Sequence, residues 1–287
     1  MIVGIDHLVL VCPGIESGVA AYAALLGRPP DWQSVESAGA ASALFQLAHV
    51  ALELLAPQGE GPTAERLNAL LQERGPGLQS LVFATDDIEH EHRALRRRGL
   101  EPGPIEVGRS TDLRTGRERA WQRLRLGDAQ VRGVRTFVLQ RSAVDPLRQA
   151  SAPGGALQDL DHLVITTTDP GRALGHYGAR LGLELALDST APDGQSGLLV
   201  FRAGTSGIEV ARRKVEPGTV AEDRLWGITW RTHDIDAANA RLRELGHSVS
   251  EVRVGRRRGT RVFTVRDRTL GVPTLVVAVD AGTHADG

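Results

Sequence analysis

The sequence predicts an α+β fold made of four similar units, each of which runs strand, helix and then three strands. Two observations predict it. The 287-residue chain repeats itself at an offset near 155 residues. Within each repeat the apolar residues change from strand spacing to helical spacing and back again. At about 150 residues for each domain, this length fits two domains.

The strongest repeat pairs two copies of one short motif. The residues Asp-His-Leu-Val stand at 6–9 and again at 161–164, and the segments that they open have equal length. Glu53 and Glu209 follow the histidines of these motifs by 46 and 47 residues. Two halves of the chain are therefore related to each other.

The elements of the first unit follow from its periodicity and its turn residues. An apolar run over 3–11 predicts a strand, and the Pro-Gly pair at 13–14 ends it. Residues 15–26 carry apolar side chains at helical spacing and predict a helix. Three short strands are expected after it, near 31–36, 41–47 and 49–55.

The remaining units follow the same order. The third has Pro170 at a helix start and a turn at Gly194, and weaker similarity between 78–88 and 225–235 adds the second and fourth units. Residues 142–157 lack periodicity and predict a linker between domains 1–141 and 158–281. The units are expected at 1–60, 77–141, 158–213 and 223–281.

Composition excludes several classes of function. The 34 basic and 35 acidic residues give a net charge of −1, so we expect no nucleic-acid or membrane partner. No apolar run approaches the roughly 20 residues of a membrane span.

The single cysteine, Cys12, lies in an apolar run and predicts a buried, inert thiol. We expect a cytoplasmic protein that acts on a small molecule, and find no phosphate-loop or nucleophile-elbow motif.

The repeat resembles the vicinal oxygen chelate superfamily, the glyoxalase, bleomycin-resistance and extradiol dioxygenase group. A βαβββ unit with histidine on its first strand and glutamate on its last carries this resemblance, which extends from residue 3 to about 280. It implies that two units pair into a cup-shaped mixed sheet of about eight strands, with the helices outside. Ligands would come from the first and fourth strands of each unit.

The resemblance identifies four candidate metal ligands, His7 with Glu53 and His162 with Glu209. Imidazole and carboxylate suit a divalent ion such as Zn, Fe, Mn, Ni or Co. The resemblance also implies lyase or isomerase chemistry of the glyoxalase type on a small oxygenated or carboxylated molecule. Glu209, or Glu53 in the other half, would be the catalytic base.

The second and fourth units depart from that pattern. Ser80 and Gly227 stand where a partner histidine is expected, and Phe137 and Leu275 stand where a partner glutamate is expected. Each cup then holds one histidine and one glutamate, too few for a firm metal site. Two alternatives stay open: units one and three share a cup, within one chain or across a homodimer, or each cup binds an organic ligand and holds any metal loosely.

The fourth unit supplies the candidate substrate-binding residues. Strand alternation places Gly227, Thr229 and Arg231 on one face, where the glycine would make room for a ligand. Arg257 and Arg261 lie in a basic run and would bind an anion. The alternatives are that Arg231 pairs with a glutamate and that the basic run is a solvated hairpin tip.

A metal-free protein that binds an aromatic or anionic small molecule, like the bleomycin-resistance relatives, is the second hypothesis. Aromatic residues make up only 4% of the chain, which leaves few rings for stacking. Extradiol dioxygenase chemistry is disfavoured, because the fourth unit lacks the histidine and glutamate that the resemblance requires there.

Overall fold

The computed structural model describes residues 1–142, 147, 154–189, 197–214 and 222–279. The predicted turn at Gly194 and most of the predicted linker lie outside these residues. None of the helices within them has the length and apolar character that crossing a bilayer requires.

The first half of the chain contains two βαβββ units and one additional helix. The elements of the first unit are β1 (Ile2–Val11), α1 (Ile15–Leu26), β2 (Trp32–Glu36), β3 (Ala40–Gln46) and β4 (Ala51–Pro57). The additional helix and the second unit are α2 (Pro62–Arg74), β5 (Gly77–Thr85), α3 (Ile88–Arg97), β6 (Glu106–Thr111), β7 (Glu118–Arg125) and β8 (Arg135–Arg141).

The second half contains two more βαβββ units. The third consists of β9 (Asp159–Thr167), α4 (Pro170–Ala173) continued by a π-helical segment (Leu174–Arg180), β10 (Glu184–Asp188), β11 (Leu198–Ala203) and β12 (Ser206–Arg212). The fourth consists of β13 (Arg224–Arg231), α5 (Ile235–Glu244), β14 (Arg253–Val254), β15 (Thr260–Val265) and β16 (Thr274–Val279).

The strands form two eight-stranded mixed sheets with the same topology. The first has the order β2-β3-β4-β1-β5-β8-β7-β6, and the second has the order β10-β11-β12-β9-β13-β16-β15-β14. The strand of each unit that precedes its helix therefore lies at the centre of a sheet. The predicted α+β class and the four βαβββ units are confirmed.

Helix α1 has the bounds that its periodicity predicts. It starts after Gly14, and Tyr22 and Leu25 on its inner face are buried. Gly27 ends it at a φ of 76°, where its N–H bonds to the Ala23 carbonyl. That left-handed conformation suits glycine because no Cβ meets the backbone there.

Helix α2 lies between the first two units and was not predicted. Pro62 stands in its first turn, where the missing N–H costs nothing. Leu67 packs with Val11 and Ala40 in a buried cluster. The helix therefore extends the core of this part of the chain, although no other unit has a counterpart of it among the described residues.

The described residues pack into two compact units. One is drawn from Met1–Val9, Leu78–Pro146 and His162–Trp226. The other is drawn from Leu10–Gly77, Leu147–Asp161 and Gly227–Gly287. The chain-order domains 1–141 and 158–281 stay a prediction.

Each compact unit contains one of the two tyrosines of the chain, Tyr177 or Tyr22. In the unit that holds Leu78–Pro146, the Tyr177 hydroxyl lies 3.5 Å from Oδ2 of buried Asp223, which Arg132 also contacts. In the other unit, the Tyr22 hydroxyl donates to the Thr269 carbonyl at 3.1 Å. Both tyrosine hydroxyls are therefore hydrogen-bonded within the core, as buried polar groups require.

Candidate functional site

His162 and Glu209 lie together on one face of the second sheet. Strand β12 runs parallel to β9, with Gly207 opposite His162 in the register. Because side chains alternate along a strand, Glu209 is on the same face as Gly207 and hence as His162. Nε2 of His162 lies 3.5 Å from Oε2 of Glu209.

The opposite face of these strands is apolar and fixes this orientation. Leu163 and Ile165 of β9, and Ile208 and Val210 of β12, are almost fully buried. The histidine and glutamate side chains are 17% and 30% exposed, so the pair can be reached from solvent. A one-residue slip of either strand would place charged groups in the core, which makes the register strongly specified.

His7, the counterpart of His162, is buried on β1. Its Nδ1 lies 2.6 Å from Oδ1 of Asp6, and Arg141 binds both oxygens of that aspartate at 2.6 and 3.1 Å. Burial would raise the pKa of Asp6, but His7 and Arg141 together hold it well below its ordinary value. The ionised carboxylate can only accept, so Nδ1 of His7 donates to it.

Glu53 is the fourth predicted ligand. It is half-buried on β4, opposite Leu44 of β3 in the sheet register. Glu53 and His7 are both present at the predicted strand positions.

Asp161 binds two of the predicted substrate-binding arginines. Arg231 donates to Oδ1 through Nε at 3.3 Å and Nη2 at 3.1 Å. Arg257 reaches both oxygens, at 3.2 and 3.5 Å. The Asp161 side chain is only 4% exposed, whereas that of Arg257 is 57% exposed. The two guanidinium groups carry two positive charges and the aspartate one negative charge, so these three side chains have a net charge of about +1.

The ion pair of Arg231 differs from the one that the sequence suggests. One alternative was that Arg231 pairs with a glutamate, but the carboxylate that it binds is that of Asp161. Glu251 instead binds Arg243, at 2.8 Å. No spacing rule indicated the aspartate, although Asp precedes His in both copies of the repeated motif.

Gly227 and Thr229 are both buried on β13. The expectation that Gly227 makes room for a ligand needs correction, because a Cβ there would lie 2.8 Å from the Pro273 carbonyl oxygen. The glycine permits close packing of β13 against the start of β16, where Ile228 N–H bonds to that same carbonyl.

Arg257 and Arg261, the two arginines expected to bind an anion, pair with different carboxylates. Arg261 forms a bidentate pair with Asp236 in the first turn of α5, at 2.7 and 2.8 Å. The hydrogen bond from Arg261 lowers the pKa of Asp236. Since Arg257 binds Asp161 instead, the two arginines serve different carboxylates.

Cys12 is buried, as its apolar surroundings predict. Burial raises the pKa of its thiol to about 11, so the thiol stays protonated near neutral pH. It therefore provides no nucleophile.

The donor set does not by itself fit a resident metal ion. His162 and Glu209 supply one nitrogen and one oxygen, and their 3.5 Å separation would allow both to contact one ion. Protein sites for divalent transition metals use three or four such ligands. Over the described part of the chain, nowhere do three or more His, Cys, Asp or Glu side chains lie together in a way that could hold a metal ion.

Family comparisons divide the sequence into two consecutive matches. Residues 5–158 match the model of a glyoxalase-like domain. Residues 159–270 match the model of the glyoxalase/bleomycin resistance protein/dioxygenase superfamily. No curated protein sequence matches the chain.

Several solved structures have a similar fold. A triple mutant of 4-hydroxymandelate synthase from Streptomyces coelicolor matches with a TM-score of 0.72 and 12% identity, over 100% of this chain and 95% of that one. A hypothetical protein from Staphylococcus aureus gives 0.65 and 10%, over 97% and 100%.

A xylose isomerase-like TIM barrel/4-hydroxyphenylpyruvate dioxygenase fusion protein gives a TM-score of 0.65 and 13% identity, over 100% of this chain and 51% of that one. At such low identities these similarities concern the fold and not the chemistry.

Proposed function

We propose that this chain, which belongs to the vicinal oxygen chelate superfamily of glyoxalases, bleomycin resistance proteins and dioxygenases, binds a small oxygenated or carboxylated molecule through His162 and Glu209. In this proposal the protein has no resident metal and is similar in mode of action to the bleomycin-resistance branch. The glyoxalase or isomerase type of metal-dependent reaction is the alternative that the experiment below tests.

The observation that carries this proposal is the solvent-accessible His162–Glu209 pair itself. A carboxylate accepts hydrogen bonds, while an imidazole can donate or accept according to its protonation. With Nε2 and Oε2 separated by 3.5 Å, a ligand hydroxyl can donate to Glu209 while it accepts from His162, whereas a ligand carbonyl oxygen can accept from His162 alone. The pair therefore suits an oxygen-rich molecule and can exchange a proton with it.

The number of donors favours the metal-free form. Two protein ligands leave most coordination positions of a divalent ion to water, so binding is weak and the ion exchanges readily. A ligand molecule that brings its own oxygens needs no ion to be recognised by His162 and Glu209.

Elemental analysis and calorimetry test the proposal on the full-length protein. We expect purified, dialysed protein to hold far less than one Zn, Fe, Mn, Ni or Co per chain. A thermal-shift screen of small 2-oxo acids, 2-hydroxy acids and vicinal diketones should give stabilising compounds. For the hydroxy acids among these compounds, His162→Ala and Glu209→Gln should each weaken affinity about tenfold. The first change removes a hydrogen bond, and the second replaces a charged acceptor with a weaker, neutral one.

Matched controls use exposed residues of the same types on α3. His90→Ala and Glu89→Gln should leave affinity for the same compounds unchanged, because both residues lie at the surface of that helix. One tightly held ion per chain that His162→Ala removes and His90→Ala retains would refute the metal-free form and establish the metal-dependent alternative. If every such compound binds both site variants with the same affinity as the natural protein, the role proposed for His162 and Glu209 is overturned.

A further inference from the structure

His49 and Asp159 form a close pair at the turn between β3 and β4. Nδ1 of His49 lies 2.6 Å from Oδ2 of Asp159, which is the first residue of β9. Oδ1 of the same aspartate accepts hydrogen bonds from the backbone N–H groups of His49 and Val50, at 3.2 and 3.3 Å. Both carboxylate oxygens are therefore engaged, and the imidazole is fixed against them.

The two side chains differ strongly in exposure. That of Asp159 is 4% exposed, whereas that of His49 is 57% exposed. A carboxylate that accepts at both oxygens leaves the proton of the neutral imidazole on Nδ1, so Nε2 carries the lone pair. Within the described part of the chain, no hydrogen bond or ion pair engages Nε2. The pair therefore presents a basic nitrogen on a largely exposed ring.

The other half of the repeat shows that the fold does not require this pair. The equivalent turn there is Gly204–Thr205, and the equivalent of Asp159 is Gly4. Gly4 packs directly on that turn, since a Cβ on it would lie 3.4 Å from Cα of Gly204. The same contact between a turn and a strand thus forms without a carboxylate or an imidazole. A polar pair that the architecture does not need is a candidate for chemistry.

The buried carboxylate makes His49 a better nucleophile in two ways. It fixes the tautomer that leaves Nε2 unprotonated. It also stabilises the positive charge that the ring gains when Nε2 forms a bond to an electrophile. No guanidinium group of the described residues binds Asp159, in contrast to Asp6 and Asp161. The negative charge of Asp159 therefore acts mainly on the imidazole.

We propose that His49 is a nucleophile for activated acyl compounds, the class that contains aryl esters and acid anhydrides, with Asp159 as its positioning residue. Nε2 would form a bond to the carbonyl carbon, while the bond from that carbon to the leaving oxygen breaks and the leaving group departs with its electron pair. Water then adds to the acyl carbon, the electrons of the carbon–nitrogen bond return to Nε2, and a carboxylic acid and one proton are released. This reaction does not depend on the function proposed for His162 and Glu209.

Labelling with diethyl pyrocarbonate tests the nucleophile on the full-length protein. This acid anhydride leaves an ethoxycarbonyl group on the imidazole, and peptide mass spectrometry follows that group at each histidine. We expect His49 to be labelled at least about fivefold faster than His90 and His233. Both of these are exposed, and neither ring binds a carboxylate within the described residues. Equal rates at the three histidines would overturn the proposal.

Asp159→Asn separates the role of the carboxylate from that of exposure. The asparagine oxygen still accepts from the two backbone N–H groups, but its amide nitrogen donates towards the ring and moves the imidazole proton to Nε2. Labelling of His49 should slow about tenfold, with unchanged rates at His90 and His233. Loss of local structure would instead expose His49 and speed its labelling. An unchanged or faster rate at His49 in this variant would contradict the positioning role of Asp159.

Hydrolysis of 4-nitrophenyl acetate tests the complete reaction. His49→Gln should lower the rate at which the protein releases nitrophenolate about threefold, because the remaining exposed histidines still react with the ester. His90→Gln is the matched control and should leave that rate nearly unchanged. If His49→Gln releases nitrophenolate as fast as His90→Gln, the proposed hydrolysis at His49 is refuted.

Discussion

Arg231 holds the buried carboxylate of Asp161 through two of its guanidinium nitrogens, at 3.1 and 3.3 Å. The equivalent aspartate of the first half, Asp6, is held by Arg141. Arg231 lies on β13, at the centre of its sheet, whereas Arg141 ends β8. The repeated aspartate thus has a guanidinium partner in both halves, although different strands supply it. A buried carboxylate needs such a partner because it has lost its contacts with water.

The two arginines on Asp161 should compensate for each other. We expect Arg257→Gln to cost less than about 1 kcal/mol of unfolding free energy, since Arg257 is largely exposed. Arg231→Gln should cost about 2 kcal/mol, and the double variant should exceed the sum of the two by at least about 1 kcal/mol. Urea denaturation of the four proteins measures this coupling. Additive losses would show that the two guanidinium groups act independently and do not compensate for each other on Asp161.

The elements were predictable where the sequence repeats and where local signals agree. Helix α1 has the predicted bounds, because a Pro-Gly pair precedes it and Gly27 ends it. The repeat then transfers that order of elements to the other three units. Helix α2 falls outside the repeat, so its local signals, Pro62 and the spacing of Leu67 and Leu71, had no second copy to support them.

The candidate site was predictable only in part. His162 and Glu209 were found because the repeat matches their spacing to that of His7 and Glu53. The aspartate–arginine contacts join residues 70 and 135 positions apart, and no local pattern encodes such distances. With 33 arginines in the chain, composition alone could not select Arg141 or Arg231 as the partner.

Arg141 should contribute strongly to stability near neutral pH. We expect Arg141→Gln to cost about 3 kcal/mol at pH 7, because it leaves the buried Asp6 carboxylate with less compensation. The lowered pKa of Asp6 means that its contribution is complete above the ordinary value of 3.8 and is lost as pH falls below it. The difference between variant and natural protein should therefore shrink below about pH 4.

Urea denaturation at pH 7 and pH 3 measures that difference. Arg125→Gln is the control, because Arg125 pairs with Asp128 at the surface and should cost less than about 1 kcal/mol at either pH. A loss in Arg141→Gln that is equal at both pH values would contradict the role assigned to the Asp6 carboxylate.

Gly61 should be irreplaceable at the start of α2. Its φ is 134°, and a Cβ would lie 2.6 Å from the Ala38 carbonyl oxygen. We expect Gly61→Ala to cost about 3 kcal/mol, through both strain and steric overlap. Gly59 also has a positive φ, of 69°, but nothing lies within 4 Å of the Cβ position, so Gly59→Ala should cost about 1 kcal/mol. Thermal denaturation of both variants tests this; equal losses would show that the overlap relaxes.

His176 should make stability depend on pH between about 4 and 6.5. It lies buried in the π-helical segment, with neither ring nitrogen hydrogen-bonded to another described group. Burial, together with the charges of Arg132 and Arg180, lowers the pKa of His176 to about 4. Tyr177 contacts the imidazole edge to face, with ring centroids 4.9 Å apart. The native state thus keeps this histidine neutral.

The sign of the effect follows from where the proton binds. Below pH 6.5 the unfolded chain takes up a proton at His176 that the native protein does not, so stability falls as pH falls towards 4. The loss should approach about 1 kcal/mol for each pH unit. His176→Phe removes this titration while keeping a planar ring beside Tyr177, so its stability should fall less steeply over the same range.

Urea denaturation at pH 7, 6 and 5 measures both slopes. Every other titrating group is common to the two proteins and cancels in the difference between them. His90→Phe changes an exposed histidine on α3 and should keep the slope of the natural protein. If His176→Phe follows that same slope, the imidazole must take up its proton in the folded protein as easily as in the unfolded chain. Burial would then not lower the pKa of His176.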